Sequence, residues 1–426
     1  MKKVLVVSYY FPPAGGPGVQ RWLKFVKYLR DYDVEPVMFI PRDAHYPMVD
    51  ESLSQEIPDG MRIYRAPIIE PNSYMKTAQS TSGGFIDKEK KDSIKSRILT
   101  WIRANLFIPD ARCLWIRPSV KRIVKILKDE NIDTIITTAP PHSVHMIGLG
   151  VKKCLPHIKW IADFRDPWTK IDYFHNLPLC SWAKKKHYKM EREVLAMADD
   201  VICVTPSVGE DYRPMCGGRM HVITNGYDTS DMPSSSPLLD DMFTITHAGS
   251  INAQRNPNTL WRVLGDMCRE DSAFASRLKI QLAGTLSPEV FSSLKENGLV
   301  KNTIYHNYLP HDQVIKLQHS SRLLLMLMYR APHGKMFIVG KLFEYLASRR
   351  PILAIGYSDG DAARIINDTH SGDAVDFDDY DTTRCVVEQA YKKYMCGDAS
   401  YTPDSDIEKY SRRELTEKLA GEIILA

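Results

Sequence analysis

The first stretch of this sequence that suggests chemistry is THAGSINAQRNPNTLWRVL, in the second half of the chain. Gly249 and Ser250 follow a β-type run there, and Arg255 lies two residues before the expected start of a helix. An arginine beside a helix N-terminus can neutralise a diphosphate leaving group, because its planar fork binds phosphate oxygens in pairs. Asn256 or Asn258 is expected to cap the helix. A solvated surface arginine is the alternative interpretation.

The second such stretch is GKLFEYLASRRPILAIG, residues 340–356. In a helix from about Lys341, the apolar side chains share a buried side, and Glu344 and Ser348 lie on another face. A carboxylate in the first turn after a strand lies where α/β sheets bind ligands, so Glu344 can accept hydrogen bonds from two ribose hydroxyls. Gly340 belongs to a polar loop whose amides can approach a sugar or a phosphate. Simple stabilisation by the helix dipole is the alternative for Glu344.

A glycine-rich turn near the N-terminus, FPPAGGPGVQRW, connects the first strand to an amphipathic helix. Gly15 and Gly16 can bring backbone N–H groups close to an anion at the helix start. The spacing is not the GxGxxG of dinucleotide-binding folds, which weakens the hypothesis of a nicotinamide-dependent oxidoreductase. A plain tight turn remains an alternative.

Two further loops of the first half, TTAPPHSVHMIG and KWIADFRDPWTK, place polar side chains after predicted strands. Asp163, Arg165 and Asp166 form either a salt-bridged cluster that orders an acceptor hydroxyl or a structural ion-pair network. Asp166 and His142 are the candidates for a catalytic base. His142 alternatively caps the helix that follows, and His145 lies on the same loop.

Residues 92–128 interleave basic side chains with large apolar ones. Such a segment can lie on an anionic membrane surface, which would be peripheral contact at the inner face of the membrane. The other interpretation is a helical excursion packed on its own domain with a solvated basic face.

These residues require a scaffold that brings strand ends together, and the pattern of the chain predicts one. Short β-type runs alternate with helical patterns in both halves, which is typical of parallel sheets with crossover helices. The expected strands are 4–8, 36–40, 134–138, 159–162, 201–204 and 221–224, then 243–246, 279–283, 323–328 and 351–355. A Ser/Pro-rich linker, 232–241, separates an N-terminal domain, 1–231, from a C-terminal domain, 242–404. Residues 405–426 are expected to form a terminal helix that packs back on the first domain.

The bulk composition excludes several classes of protein. A chain of 426 residues with 44% hydrophobic and 25% charged residues suits two globular domains. The net charge of +4 does not indicate nucleic-acid binding. The eight cysteines lack zinc-ligand spacing and are interpreted as reduced thiols in the cytosol. No segment is expected to span a membrane.

Taken in order, the motifs SYYFPPAGGPGVQR, ADFRDPW, TNGYD, HAGSI and GKLFEYLASRRPIL resemble the retaining GT-B glycosyltransferases similar to family 4. The resemblance covers nearly the whole chain. It is to members with a glycosyltransferase 4-like N-terminal domain and a group 1-type C-terminal domain. It implies an α/β protein of two Rossmann-like domains whose parallel sheets face each other across a cleft.

The resemblance also implies an activity and roles for particular residues. A sugar would pass from a nucleoside-diphosphate donor on the C-terminal domain to a carbohydrate or lipid-linked acceptor on the N-terminal domain, without a cofactor or a metal. Arg255 resembles the basic residue that contacts the donor diphosphate, and Glu344 resembles the second glutamate of the Glu-seven residues-Glu motif, which holds the ribose. Gly15 and Gly16 match the glycine loop near the donor phosphates. Gly249, Ser250 and Gly340 complete the expected donor site.

Two departures from the family pattern keep other functions open. Met336 stands where the fuller motif has a glutamate that reads the donor sugar, and Ser250 stands where many relatives carry an arginine. The alternatives are a nucleotide-sugar epimerase, which can share the twin-Rossmann architecture, and a sugar-nucleotide-binding protein without turnover. A role in cell-envelope polysaccharide assembly is a further expectation from the family.

Overall fold

The computed structural model describes residues 1–70, 94–233, 238–397 and 407–426. The chain divides into two compact units. Unit 1 comprises Met1–Asn225 and Arg412–Ala426, and unit 2 comprises Gly226–Ser411. Each unit contains one parallel sheet with helices, so the α/β class predicted from the alternating pattern is confirmed.

Unit 1 is built on a sheet in the order β3-β2-β1-β4-β5-β6-β7, and all described pairs are parallel. Its strands are β1 Lys2–Val7, β2 Val34–Arg42, β3 Arg62–Pro67, β4 Thr134–Ala139, β5 Lys159–Phe164, β6 Asp200–Cys203 and β7 Arg219–Val222. Its helices are α1 Pro17–Tyr28, α2 Ile94–Leu106, α3 Ile116–Asp129, α4 Ser143–Cys154, α5 Ser181–Met197 and α6 Pro206–Tyr212.

Unit 2 has a similar architecture. Its sheet has the strand order β10-β9-β8-β11-β12-β13, and all described pairs are parallel. Its strands are β8 Phe243–Ala248, β9 Leu278–Ala283, β10 Thr303–Tyr305, β11 Leu323–Leu327, β12 Ile352–Gly356 and β13 Gly372–Asp376. Its helices are α7 Asn258–Glu270, α8 Ser272–Arg277, α9 Pro288–Glu296, α10 His311–Ser320, α11 Lys341–Ser348, α12 Asp361–Asp368 and α13 Tyr380–Met395.

Strand β11 shows why these runs fold as central strands. Its side chains alternate between two buried clusters: Leu323, Leu325 and Leu327 pack in one, and Leu324 and Met326 pack in the other. A strand buried on both faces needs an unbroken apolar run, and the sequence supplies one. The carboxyl ends of the parallel strands therefore lie on one edge of the sheet, where the loops carry the predicted site residues.

Three strands were missed by sequence reasoning, and all three lie at sheet edges. They are β3, β10 and β13, whose side chains are largely half-buried or exposed. An edge strand is covered less completely and needs fewer apolar residues, so its periodicity is weak. The ten predicted strands are all present, with small shifts at their ends.

The C-terminal segment differs from the expected single helix starting at residue 405. Residues 405 and 406 lie outside the described residues, and the helix α14, Arg412–Lys418, begins later and continues as a π-helix over Leu419–Ile424. Leu419 and Ile423 pack in the core of unit 1. Ile407, expected on the same helix, packs instead in the core of unit 2.

Candidate functional site

Glu344 lies in the first turn of α11, which follows β11 and a connecting loop. Its side chain is half-buried at 27% exposure. Oε2 of Glu344 accepts hydrogen bonds from Gln318 Nε2 at 3.0 Å and from Lys341 Nζ at 3.3 Å. Among the described residues, Oε1 has no hydrogen-bond partner, so this oxygen is available to a ligand hydroxyl.

The apolar side of α11 is buried as predicted, with Leu342, Phe343 and Leu346 in the core of unit 2. Ser348 was expected beside Glu344 on another face, but it is buried, and its Oγ donates to the backbone oxygen of Tyr345 at 2.6 Å. This local back-bond satisfies a buried hydroxyl without a ligand.

Tyr345 fixes α11 to the neighbouring strands. Its hydroxyl accepts from the backbone N–H of Ala248 at 3.2 Å and donates to the backbone oxygen of Leu325 at 3.3 Å. Burial raises the pKa of Tyr345, with the Ala248 hydrogen bond opposing that shift and the nearby Glu344 adding to it, so the hydroxyl stays protonated. The helix that carries Glu344 is thus positioned by the end of β8 and the middle of β11.

The loop after β8 carries the other predicted donor residues. Gly249 bonds through its N–H to the Ala283 oxygen at 2.8 Å, and Ser250 is exposed. Arg255 ends a short 3-10 turn, and its backbone N–H donates to Asn252 Oδ1 at 3.0 Å.

The guanidinium of Arg255 lies 3.8 Å from the ring centroid of Tyr329, the second residue after the end of β11. Asn252 Nδ2 donates to the Tyr329 hydroxyl at 3.2 Å, which holds the ring in place. A guanidinium over an aromatic face is attracted by the quadrupole of the ring. The Tyr329 ring therefore orients Arg255, a partner that sequence reasoning did not find.

The expected cap of the following helix is wrong. Pro257 occupies the N-cap position of α7, without a side-chain cap. Asn256 instead accepts from Trp261 Nε1 at 2.8 Å and donates to Ser293 Oγ at 2.8 Å, and Asn258 is the first residue of the helix. A tryptophan N–H buried in the core needs an acceptor, and this need decides the role of Asn256.

A cavity of about 340 Å³ lies at the same edge of the unit 2 sheet. Its lining includes Arg255, Asn258, Met328, Ile355 and Asp378. Met328 comes directly after β11 and Ile355 lies near the end of β12, so the cavity lies at the carboxyl ends of these strands. This is the position at which open parallel sheets bind ligands.

In unit 1, the glycine turn is shaped by its own packing. Gly16 has φ of 90°, a conformation that favours glycine, and it precedes α1. A Cβ on Gly15 would lie 3.0 Å from Met48 Cγ, and the N–H of Gly15 bonds to the Met48 oxygen at 2.9 Å. The plain-turn interpretation therefore accounts for both glycines within unit 1, and their contact with donor phosphates stays a prediction.

Asp163 is fully buried and pairs with Arg21, not with Arg165. Its carboxylate also accepts from Trp22 Nε1 at 2.7 Å and from Thr138 Oγ1 at 2.9 Å. Burial raises the pKa of Asp163, but the charge of Arg21 and these hydrogen bonds outweigh it and hold the pKa below its usual value. The donors around Asp163 come from the core of unit 1, which agrees with a structural ion pair, and its role in ordering an acceptor stays a prediction.

Arg165 and Asp166 differ in their surroundings. The buried guanidinium of Arg165 donates hydrogen bonds to the backbone oxygens of Ala139, Pro140 and Gly18. These bonds connect the segment at the glycine turn with the end of β4. Asp166 is half-buried. Of the three acceptor-side candidates, Asp166 is the carboxylate that retains access to solvent.

His142 is buried and stacks on Trp168, with ring centroids 4.4 Å apart and an interplanar angle of 2°. Neither ring nitrogen has a hydrogen-bond partner among the described residues. Burial, followed by nearby positive charge, holds the pKa of His142 well below its usual value, so the ring is neutral. It does not cap α4: Asp110 does so instead, accepting from the backbone N–H and the hydroxyl of Ser143, each at 2.8 Å.

Within the basic segment 92–128, the described part starts at residue 94, and its two helices behave differently. α3 buries Ile123 and Leu127 and exposes Lys121 and Lys125, as expected of a packed excursion with a solvated face. α2 instead leaves an apolar strip exposed. The strip consists of Ile94, Ile98, Trp101 and Leu106, which are 77%, 53%, 47% and 64% exposed.

Comparison with known proteins supports the resemblance derived from the motifs. Residues 80–231 match the model of Glycosyltransferase Family 4. A search of curated protein sequences gives no significant match. In the described parts of the chain, none of the helices has the length and apolarity that crossing a bilayer requires.

Solved structures of similar fold cover the whole chain. The sucrose-phosphate synthase of Thermosynechococcus elongatus matches 100% of this chain and 98% of its own, with 11% identity and a TM-score of 0.62. Anabaena HepE in complex with UDP matches 100% of both chains, with 12% identity and a TM-score of 0.61. A UDP-N-acetylglucosamine 2-epimerase matches 100% of this chain and 96% of its own, with 11% identity and a TM-score of 0.52. The chain has the GT-B fold, similar to that of family 4 glycosyltransferases, and the predicted fold is confirmed.

Proposed function

We propose that this chain transfers a sugar from a nucleoside-diphosphate sugar to an acceptor hydroxyl, with retention of configuration and without a metal ion. The observation that carries the proposal is the half-buried carboxylate of Glu344 after the central strand of unit 2. One of its oxygens is held by Gln318 and Lys341, and the other lacks a partner among the described residues. A carboxylate oriented in this way suits the two hydroxyls of a ribose.

Arg255 supplies the charge that the reaction needs. When the bond from the anomeric carbon to the donor phosphate breaks, negative charge develops on the diphosphate, and a fixed guanidinium stabilises it. The acceptor hydroxyl attacks the anomeric carbon from the face that the diphosphate leaves. The stacking of Arg255 on Tyr329 supports this role, because the guanidinium is positioned before the donor arrives.

In unit 1 we assign the acceptor side to Asp166 and Arg165, at the loop after β5. Asp166 is the better candidate for a catalytic base, since its carboxylate is only half-buried. His142 is neutral, as a base must be, but its ring is enclosed against Trp168. A role for His142 therefore requires that its surroundings open.

Two findings support the nature of the donor and the setting of the acceptor. HepE, which shares the fold, has been solved in complex with UDP and with UDP-glucose. The exposed strip on α2 suits a protein bound peripherally at the inner face of a membrane, acting from the cytoplasm on a lipid-linked acceptor. Cell-envelope polysaccharide assembly is a process that uses such acceptors.

A donor panel tests the proposal. UDP-, GDP-, ADP- and dTDP-sugars are added to the wild-type protein, to Glu344→Ala and to Glu289→Ala, and the melting temperature is recorded. Glu289 is a matched control, because its exposed side chain also lies in the first turn of a unit 2 helix and does not line the cavity. One nucleotide should stabilise the wild type and the control but not Glu344→Ala, because a ligand that binds only the native state stabilises it. A protein that no donor stabilises at millimolar concentration would contradict the proposal.

The epimerase remains a second candidate, since a UDP-N-acetylglucosamine 2-epimerase shares the fold. The two activities differ in their need for an acceptor. Isomerised donor without any acceptor would identify an epimerase, whereas a glycosylated acceptor would identify a transferase. Donor binding without either product would identify a sugar-nucleotide-binding protein, in agreement with Met336 at the position of the sugar-reading glutamate.

A further inference from the structure

Two side chains converge on the backbone at Gly249, and neither has been given a contact with the donor so far. A Cβ placed on Gly249 would lie 3.1 Å from His247 Nε2 and 3.8 Å from Lys341 Cε. His247 comes from β8 and Lys341 from the first turn of α11, both within unit 2. The glycine therefore leaves room in front of a lysine and an imidazole, beside the exposed Ser250.

Lys341 borders this space with its Cε atom, from the first turn of α11. Its side chain is 31% exposed, and among the described residues its ammonium group contacts one carboxylate oxygen, Oε2 of Glu344. Apart from its two neighbours in the chain, no described residue has an atom within 4 Å of a Cβ built on Gly340, the residue before the helix. The first amides of α11 lie at the same end, and a helix N-terminus attracts anions.

His247 shows that the space suits a ligand with polar groups. The imidazole is 6% exposed, and Nδ1 lies 2.8 Å from the Leu325 oxygen. A carbonyl only accepts, so Nδ1 carries the proton and Nε2 carries the lone pair. Nε2 has no hydrogen-bond partner among the described residues.

The surroundings of His247 keep its ring neutral. Burial lowers its pKa to about 4; the hydrogen bond to Leu325 opposes this shift, and the charges of Lys341 and Arg255 add to it. Both cations therefore act on one imidazole. An acceptor atom beside two cations suits a ligand that carries hydroxyl groups next to its phosphates.

We propose that Lys341 is a second cation of the diphosphate site and supplies, from α11, the charge that Ser250 lacks on the β8 loop. This inference rests on the proposed function. A nucleoside diphosphate carries more negative charge than Arg255 alone neutralises, and Lys341 offers a point charge with rotatable donors. Lys341 contacts the phosphates, and its bond to Glu344 fixes the ribose-binding carboxylate at the same time.

The competing explanation is that Lys341 only positions Glu344. The two roles separate when nucleoside diphosphates are compared with monophosphates, because both ligands carry the ribose but only the diphosphate carries the second phosphate. The experiment measures the dissociation constants of UDP, GDP, ADP and dTDP and of their monophosphates by titration calorimetry. The proteins are wild type, Lys341→Met, Lys341→Arg and Lys316→Met, an exposed control lysine on α10.

Lys341→Met should weaken binding of the preferred diphosphate by about tenfold or more, the usual effect of losing a charge-assisted hydrogen bond. Binding of its monophosphate should change much less, Lys341→Arg should restore most of the diphosphate affinity, and Lys316→Met should bind as the wild type does. Equal losses for both ligands, or no loss for either, would overturn the inference while leaving the proposed function in place. A wild-type protein that binds none of these nucleotides would overturn both.

Discussion

At the scale of single residues, Arg255 is the cation whose position the structure explains best. Its guanidinium stacks on Tyr329, and Asn252 binds both the arginine backbone and the tyrosine hydroxyl. Such preorganisation matters in catalysis because the charge need not be reoriented as the leaving group forms.

Arg255→Ala should therefore lower kcat by about 100-fold or more, since the loss of one fixed donor to a developing oxyanion has effects of that order. Steady-state kinetics with the preferred donor measure the effect. Arg262→Ala is the matched control, because Arg262 is an exposed arginine of α7 that stacks on Tyr380 and does not line the cavity. An unchanged kcat in Arg255→Ala would remove this residue from the mechanism.

Asp163 illustrates a carboxylate whose role is structural. Arg21, Trp22 and Thr138 all donate to it inside the core of unit 1. We expect Asp163→Ala to lower the free energy of unfolding by about 3–5 kcal/mol, because it leaves the buried charge of Arg21 without its partner. Urea unfolding followed by tryptophan fluorescence measures the change.

Glu193→Ala is the control for that experiment, since it removes an ion pair with Lys153 at the surface of the same unit. Surface pairs contribute about 1 kcal/mol or less, so this variant should unfold nearly as the wild type does. If Asp163→Ala were as stable as Glu193→Ala but inactive, Asp163 would belong to the acceptor site after all.

Residue types and local spacing were enough to indicate Glu344 and Arg255 as candidates. The partners of these residues could not be predicted, because they come from distant parts of the chain. Gln318 reaches Glu344 from α10, and His247 shares its surroundings with Lys341 only through the pairing of β8 with β11. Lys341 itself lies in the quoted motif. Its spacing of three residues from Glu344 was the available indication that the two side chains are neighbours on the helix.

At the scale of elements, α2 is a helix with an unusual surface. Ile94, Ile98 and Trp101 follow helical spacing and are exposed, and Arg97 and Arg103 are exposed on the same helix. Asn105 fixes the end of the helix, since its amide binds the Pro178 oxygen and the Cys180 N–H. The strip is thus presented by a helix whose end is held by the body of unit 1.

We expect the full-length protein to bind vesicles of phosphatidylcholine with anionic phosphatidylglycerol, and Ile98→Ser with Trp101→Ser to weaken this binding strongly. Burial of apolar side chains and attraction of arginines to anionic lipid both contribute to such binding. Sedimentation with vesicles measures the bound fraction. Val300→Ser is a control that removes an exposed apolar side chain from unit 2. Equal binding by all variants would show that α2 does not contact the membrane.

Burial made most strands predictable, although the edge strand β7 was also predicted and has no fully buried side chain. Central strands such as β8 and β11 have side chains buried along their whole length, and their apolar runs indicated them directly. The edge strand β10 has no fully buried side chain, and β13 has one, Val375. Their positions depend on pairing with a neighbouring strand, which a local pattern does not contain.

At the scale of the whole molecule, the two units differ in their content of buried histidines. Unit 1 contains His142, His145 and His187, and unit 2 contains His247 and His319, all of them buried. Burial is the main cause that lowers each pKa: to about 3 for His145, to about 4 for His187 and His247, well below the usual value for His142, and below the usual value for His319. Each imidazole is therefore neutral in the folded protein at neutral pH.

The direction of the resulting pH dependence follows from these shifts. A histidine with a usual pKa of about 6.5 takes up a proton in the unfolded chain first, so acid favours unfolding. The contribution of these histidines to the free energy of unfolding is at its maximum above about pH 6.5. It decreases as the pH falls toward their pKa values near 4 in the folded protein. Each pKa unit corresponds to about 1.4 kcal/mol, and with more such histidines unit 1 should lose more stability than unit 2.

Two probes distinguish the units, because six of the seven tryptophans lie in unit 1 and Trp261 alone lies in unit 2. Urea midpoints at pH 7.5, 6.5, 5.5 and 4.5 should fall with pH, and the midpoint from tryptophan fluorescence should fall further than that from far-UV circular dichroism, which reports on both units. His247→Asn should reduce the pH dependence of unit 2, because it removes the titrating ring and keeps an amide donor for the Leu325 oxygen. Midpoints that stayed level between pH 7.5 and 5.5 would mean that these histidines take up protons in the folded protein as readily as in the unfolded chain. Nε2 of His247 would then be a donor at pH 5.5, which contradicts the neutral ring inferred beside Lys341.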